Sequence, residues 1–322
     1  MGLLIGTDEA GYGPNLGPLV VAATIWRTTE ATDCHDLYER LDDVVCRPPL
    51  SRTKQEKRLP VADSKQLYRP GSDWSHLERA VLATLAVTGR SVRNWTQVWP
   101  AVDPENAAVL PALPWHTDFQ LALPRDVAAS DVDWWQTRLC EALPARGVEL
   151  VGVLARVVFP EEFNRRVDAM GSKGTLLSEV TLQLINKCLK FGAGDLVTIR
   201  CDKHGGRSRY SPLLQATFPE YLIEVVREGR EQSVYRWGPA NERVEIGFVA
   251  GGEQFLPTAL ASMTAKYLRE LAMLAFNQFW ACRLPGLRPT AGYPVDAKRF
   301  KAEIETTQRR LGIADESLWR NR

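Results

Sequence analysis

Asp8 and Glu9 are adjacent carboxylates at the end of an apolar run, and Gly11, Gly13 and Gly17 follow in the connecting loop. In a regular strand, neighbouring side chains point to opposite faces. The pair is therefore expected to converge only where the pleat breaks. The glycines permit that break and a close approach of backbone to a ligand, although a plain polar turn after a hydrophobic strand would read the same way. Asp202 closes a second apolar run, DLVTIRCD, and precedes KHGGRSR, where Gly205 and Gly206 allow a tight turn and Arg207 and Arg209 offer cations to phosphate. A solvated strand end would also suit Asp202. Glu270 comes four residues after Lys266, so the two share a helix face. Glu270 is then either a further oxygen ligand aimed at the sheet or half of an exposed Lys–Glu pair. Carboxylates from two strand ends and a helix are the hard donors that divalent cations take. Two such ions can activate a water and stabilise the leaving oxygen in phosphodiester hydrolysis.

Three further features have both a chemical and a bland reading. Asp63-Ser64-Lys65 can bring a hydroxyl and an ammonium to a phosphate backbone, or Asp63 or Ser64 can cap a helix. His204, beside a glycine turn, can touch a leaving-group phosphate or lie exposed. Trp95, Trp99, Trp115, Trp134 and Trp135 can stack bases, or pack a core.

The elements that must hold these residues follow from periodicity. Leu3–Ile5 and Leu19–Thr24 read as strands, as do 148–159, DLVTIRCD, 221–227 and 233–250, the last two partly a hairpin around Gly229. Helical spacing predicts helices near Asp36–Val45, over 75–88, 131–143, 174–191 and 256–282, and near 297–311. Strands alternating with helices give an α/β class with a mixed sheet flanked by helices. The remainder of 90–150 is punctuated by prolines and shows no pattern. With 45% apolar and 25% charged residues the composition is that of a globular protein, and a net charge of +1 excludes a polybasic binder but not a local basic groove. Six scattered cysteines form no zinc or redox motif. No secretory h-region and no membrane-length apolar segment is present, which gives a cytoplasmic expectation.

Together these residues resemble the type 2 ribonuclease H family. Its opening Asp-Glu-Ala-Gly-(Arg/Lys)-Gly-Pro-x-x-Gly-Pro is similar to Asp8 through Pro18, and its Asp-Ser-Lys to residues 63–65. Its strand-end aspartate is matched by Asp202. Its Ala-Ser-Ile-x-Ala-Lys-Val-x-Arg-Asp helix resembles Ala261 to Glu270, and its Gly-Tyr-Pro-Ser-Asp resembles Gly292 to Asp296. The resemblance spans nearly the whole chain as one catalytic domain, 1–322, with extra material at about 28–58 and 90–150 and a C-terminal helical tail. It implies a ribonuclease H-like fold and a Mg2+- or Mn2+-dependent two-metal endonuclease acting on the RNA strand of an RNA/DNA hybrid. By carry-over, Asp8, Glu9, Asp202 and Glu270 hold the metals. Gly11 and Gly13, with Tyr12 between them, meet the ribose 2′-hydroxyl. Ser64 and Lys65 hold backbone phosphate and Tyr293 packs against the sugar, with Arg207 and Lys266 as further substrate-binding candidates. Two departures stand out: Tyr12 replaces a basic residue, and Glu270 replaces an aspartate. They point to a changed preference for isolated ribonucleotides, or to altered metal geometry.

Two other classes remain in view. A non-catalytic nucleic-acid-binding protein on the same scaffold would accommodate Tyr12 and Glu270. An ATP-dependent kinase of the actin-like superfamily would use a strand-end aspartate and read Val249-Ala250-Gly251-Gly252 as an adenosine loop. No P-loop sequence is present.

Overall fold

The opening apolar run becomes β1 (Gly2–Ala10), antiparallel to β2 (Leu19–Thr28), in a computed structural model that describes residues 1–29, 37–48, 57–69, 71–107, 113–192 and 194–321. After these come α1 (Leu37–Arg40), the short parallel pair β3 (Val45–Cys46) and β4 (Leu59–Pro60), α2 (Ser64–Leu67), α3 (Ser75–Val87), α4 (Trp95–Val102) and α5 (Ala129–Ala145). The second half holds β5 (Val148–Val158), α6 (Pro160–Met170), α7 (Lys173–Leu189), β6 (Leu196–Asp202), α8 (Ser211–Thr217), β7 (Glu224–Arg227), β8 (Gln232–Trp237) and β9 (Val244–Val249). Three helices close the chain: α9 (Leu256–Ala281), α10 (Pro294–Arg310) and α11 (Asp315–Leu318).

Seven strands form one mixed sheet in the order β5-β2-β1-β6-β9-β8-β7. The central pairs β1–β6 and β6–β9 are parallel and the others antiparallel. Helices cover both faces, as the α/β reading expects. Leu4, Ala22 and Trp26 pack with α3, α5 and α9 on one side, and Leu3, Ile5 and Val21 with α6, α7 and α8 on the other. Helix α9 is apolar nearly all round, the pattern of a core helix. Its first turn lies directly on β1, where only a glycine fits: a Cβ on Gly6 would stand 2.2 Å from the backbone of Pro257 and Thr258. The Thr24 hydroxyl donates to the Pro257 carbonyl (2.7 Å) and fixes the same contact. Among the described residues no helix is long and apolar enough to cross a membrane.

Several boundaries differ from the sequence expectation. Strand β1 runs through Asp8 and Glu9 to Ala10, because β2 keeps pairing with it to Val20. The 233–250 run is two strands, divided where Gly238 takes φ +84° and a 3₁₀ turn covers Ala240–Glu242. Helix α4 lies within the stretch that showed no pattern, and its N-cap Asn94 accepts from the Gln97 amide (3.2 Å). Helix α6 starts at Pro160 and ends on Gly171 in the left-handed region, a proline-start, glycine-stop signature. Only Leu37–Arg40 of the helix expected near Asp36–Val45 is helical; residue 36 and most of the basic run Arg52–Arg58 lie outside the described residues.

The tryptophans resolve by burial. Trp95, Trp99 and Trp135 join the cluster around α9, and Trp115 packs edge-on to Phe276 at 5.1 Å, so these rings are core and closed to bases. Trp134 alone of the five is exposed. The 90–150 region is tied to the core by Glu78 of α3, which is fully buried. Its carboxylate accepts from the Arg125 (2.7 Å) and Asp126 (2.6 Å) amides and from the Tyr267 hydroxyl (3.3 Å).

Candidate metal centre and glycine loop

Asp8 stands just beyond the point where the parallel partner β6 ends its register with β1 at Thr7–Cys201, so the carboxylates of Asp8 and Asp202 meet at the open end of the two central strands. A third carboxylate reaches them from the turn after β9. Oxygens of Asp8, Asp202 and Glu253 all lie within 4.8 Å of one another. The turn is built by two glycines. Gly251 takes φ +72°, and Gly252 sits so close to β6 that a Cβ would come within 2.9 Å of the Asp202 amide nitrogen. The Gly252 amide donates to Asp202 Oδ1 (3.0 Å), holding that carboxylate in place. The pair that resembled an adenosine loop thus delivers an acid to the sheet end.

Glu9 occupies the opposite face of β1 from Asp8. Burial raises its pKa to about 7, repulsion from Asp202 adds to this, and Lys65 works against it. The pair does not need the break in the pleat that the sequence suggested: β1 stays paired through both residues, and the two acids flank it. Burial also raises Asp8 well above the ordinary carboxylate range, followed by repulsion from Glu9, while a Ser262 hydrogen bond acts the other way. Glu253 is raised by burial and then by Asp202. Half-buried negative charges crowded this closely cost free energy unless protonated or matched by positive charge. Oxygen-only donors at this spacing suit a hard divalent cation.

Glu270, expected in the same group, lies elsewhere. It sits eight residues beyond Ser262 on α9, about 12 Å along the axis. There its carboxylate accepts from the Tyr68 hydroxyl (3.0 Å) and pairs with Lys266 at 2.5 Å. Lys266 also lies 4.9 Å over the Tyr68 ring, so both partners are engaged with α2 and its cap. Position along the helix is the reason: the α9 turn nearest the sheet end carries Ser262, and it presents a hydroxyl. Glu253 was missed in sequence, yet the signal existed. It follows an apolar strand and a Gly-Gly turn, whereas Asp202 closes its strand ahead of such a turn.

The remaining candidates fall into two groups around the acids. Ser64 is buried, its amide donating to Ser262 Oγ (3.3 Å) and its hydroxyl accepting from the same group (3.2 Å). Asp63 caps α2 by accepting from the Lys65 amide (3.0 Å), while the Lys65 ammonium projects into solvent 4.0 Å from Glu253. On the other side, Tyr12 of the glycine loop lies under Lys173 (4.7 Å to the ring centre) at the start of α7. Arg207 donates to Thr175 there (3.3 Å). Gly13 is open, with only the half-exposed Tyr293 ring near it, 3.9 Å from a built Cβ. His204 is the exception. It is buried against Ser178 (2.9 Å) and Thr181 (3.3 Å), and burial pushes its pKa down to about 3, so it is a neutral core residue rather than an exposed or phosphate-facing one.

No protein-family model matches the chain, and no curated protein matches it. Solved structures do. The ribonuclease H2 of Pyrococcus horikoshii OT3 is 15% identical, with 98% of this chain and 92% of that chain covered at a TM-score of 0.44. The RNase HII in a PCNA complex from Archaeoglobus fulgidus is 15% identical over 99% and 94%, at 0.40. Bst-RNase HIII, solved with Mn2+, is 12% identical over 98% and 65%, at 0.40. The chain is similar to these ribonucleases H.

The raised carboxyls set how a divalent ion would bind. Protons and metal compete for the same oxygens. Mn2+ affinity measured by calorimetry is therefore expected to strengthen as pH rises from 6 to 8, by up to about tenfold per unit for each proton displaced. The metal-free protein carries the opposite sign. A carboxyl raised in the folded state stabilises most below its ordinary value of 4.5, and for Glu9 that contribution is lost as pH rises through about 7. Affinity that stays flat across this range would remove these acids from the binding step.

Proposed function

We propose that the protein is a divalent-metal-dependent endonuclease that hydrolyses the RNA strand of RNA/DNA hybrids. The observation that carries this reading is the group of Asp8, Asp202 and Glu253 at the open end of β1 and β6, beside a glycine loop whose Gly13 face is free. These crowded carboxylates, with burial raising the pKa of Asp8 and Glu253, fit Mg2+ or Mn2+, which supply an activated water and charge stabilisation at the leaving oxygen. Asp8, Asp202 and Glu253 would hold the ions, with Glu9 completing the set from the other face of β1.

The other residues bind and orient. The backbone of Gly11 and Gly13 approaches the ribose, where a 2′-hydroxyl distinguishes RNA from DNA. Lys65 and Arg207 flank the acids on opposite sides and would hold phosphates of the reacting strand. Tyr293 packs against the sugar. Ser64 orients Ser262, and through it Asp8, while Lys266 and Glu270 brace α9 against Tyr68. Tyr12 presents a phenol where the resembled family has a cation, so it would stack or donate rather than attract phosphate. That change favours long hybrids over a single ribonucleotide in DNA.

Purified protein on four labelled duplexes, with Mg2+ and then Mn2+, tests this: RNA/DNA hybrid, DNA with one ribonucleotide, all-DNA and all-RNA. Cleavage of the hybrid, with the single-ribonucleotide duplex cut more slowly, is the expected result. A folded sample that binds the hybrid without cutting it in either metal would leave only a non-catalytic nucleic-acid-binding protein.

A further inference from the structure

The loop from Gly11 to Pro18 makes few ladder contacts, so its order has to come from behind. Two buried arginines supply it. Arg269 of α9 donates to the carbonyls of Pro18 (2.5 Å), Leu16 (3.1 Å) and Ala291 (3.0 Å). Arg320, 1% exposed, donates to the Pro14 carbonyl and lies 4.7 Å over the Phe163 ring. The backbone of the same segment continues the grip. The Arg320 amide donates to the Asn15 carbonyl (2.8 Å), Asn15 Nδ2 donates to the Arg320 carbonyl (3.1 Å), and Leu16 bridges Trp319. Asn164 of α6 anchors this segment, donating to the Trp319 carbonyl (2.7 Å) and accepting from the Asn321 amide (2.7 Å).

Nothing about stability requires a guanidinium here. Arg320 has no carboxylate partner among the described residues, its Nε and Nη1 find no acceptor there, and the Arg269 charge opposes its own. A buried charge of this kind costs more than an apolar side chain of the same volume. What the guanidinium adds is direction: a donor fixed on the Pro14 carbonyl, one residue behind Gly13. The loop is braced at 14–15 by Arg320, at 16–18 by Arg269 and at 15–16 by the Gly292 carbonyl, and it is open only at Gly13.

We infer that Arg320 is a positioning residue that sets the backbone of Gly11–Gly13 for contact with the substrate strand. The inference rests on the nuclease reading above. Asp8 and Asp202 sit on ladder strands, so loosening the loop would weaken substrate binding and leave the carboxylate group intact. In Arg320→Met, the KM for RNA/DNA hybrid is expected to rise about tenfold, with kcat and Mn2+ affinity within about twofold of wild type. Amide hydrogen exchange should quicken at residues 11–17 and not at 2–8. Arg320→Lys, which keeps a donor, should recover part of the KM. Asn164→Ala, which loosens the segment without touching the charge, should shift KM in the same direction.

Unchanged KM and unchanged exchange at 11–17 in folded, active Arg320→Met would overturn the inference. So would a joint loss of kcat, Mn2+ affinity and protection at 2–8, which would mark a merely structural role. A wild-type protein that cuts no duplex instead removes the nuclease reading, and with it the loop's role toward substrate. Exchange at 11–17 then still reports separately whether Arg320 holds the loop.

Discussion

Asp8→Asn is expected to abolish hybrid cleavage, by on the order of 10³-fold or more, equivalent to ~4 kcal/mol of barrier. Asparagine keeps the shape of the side chain and its hydrogen bond toward Ser262, so the fold should stand. The metal-free protein should even gain a little stability, since one of several mutually repelling buried carboxyls has been neutralised. Mn2+ affinity should fall with activity. The partner comparison separates the two glutamates. Glu253→Gln removes an oxygen donor from the group formed with Asp8 and Asp202, and should cost about 10²-fold or more in both metal affinity and rate. Glu270→Gln disturbs only the contacts with Tyr68 and Lys266, and should leave Mn2+ affinity within about threefold. Calorimetric titration of the three variants, beside single-turnover cleavage, checks the assignment. If Glu270→Gln lost metal and Glu253→Gln kept it, the proposed ligand set would be wrong.

Gly6→Ala is expected to be the most damaging small change to the fold. The added methyl would meet the backbone of Pro257 and Thr258 at 2.2 Å, and backbone at the start of a core helix cannot yield as a flexible side chain would. Overpacking of this kind costs about 3 kcal/mol or more. For a chain of 322 residues that lowers the melting temperature by roughly 4–5 °C. The displaced helix also carries Ser262, Arg269 and Lys266, so activity should fall even at temperatures where the variant stays folded. A thermal melt within about 2 °C of wild type would show that α9 can slide off β1.

The sequence by itself determined the frame of this protein. Continuous apolar runs ending in Asp8-Glu9 and Asp202 marked the central strands, and the helical spacing after Pro257 marked the core helix, because burial on both faces imposes its pattern locally. The capping role of Asp63 was readable for the same reason: it depends on residues two positions apart. What only the tertiary structure decided were relations between distant segments. The third member of the acidic group depends on which turn of α9 and which loop after β9 reach the sheet end, and a motif match on α9 favoured Glu270 where geometry brings Glu253. Whether His204 is exposed or buried turns on Ser178 and Thr181 of α7, and nothing beside it in the chain reveals that. The bracing of the glycine loop by Arg320 joins residues 306 positions apart. Local periodicity records which face of an element is buried, but the partner that buries it is chosen by the packing of the whole chain.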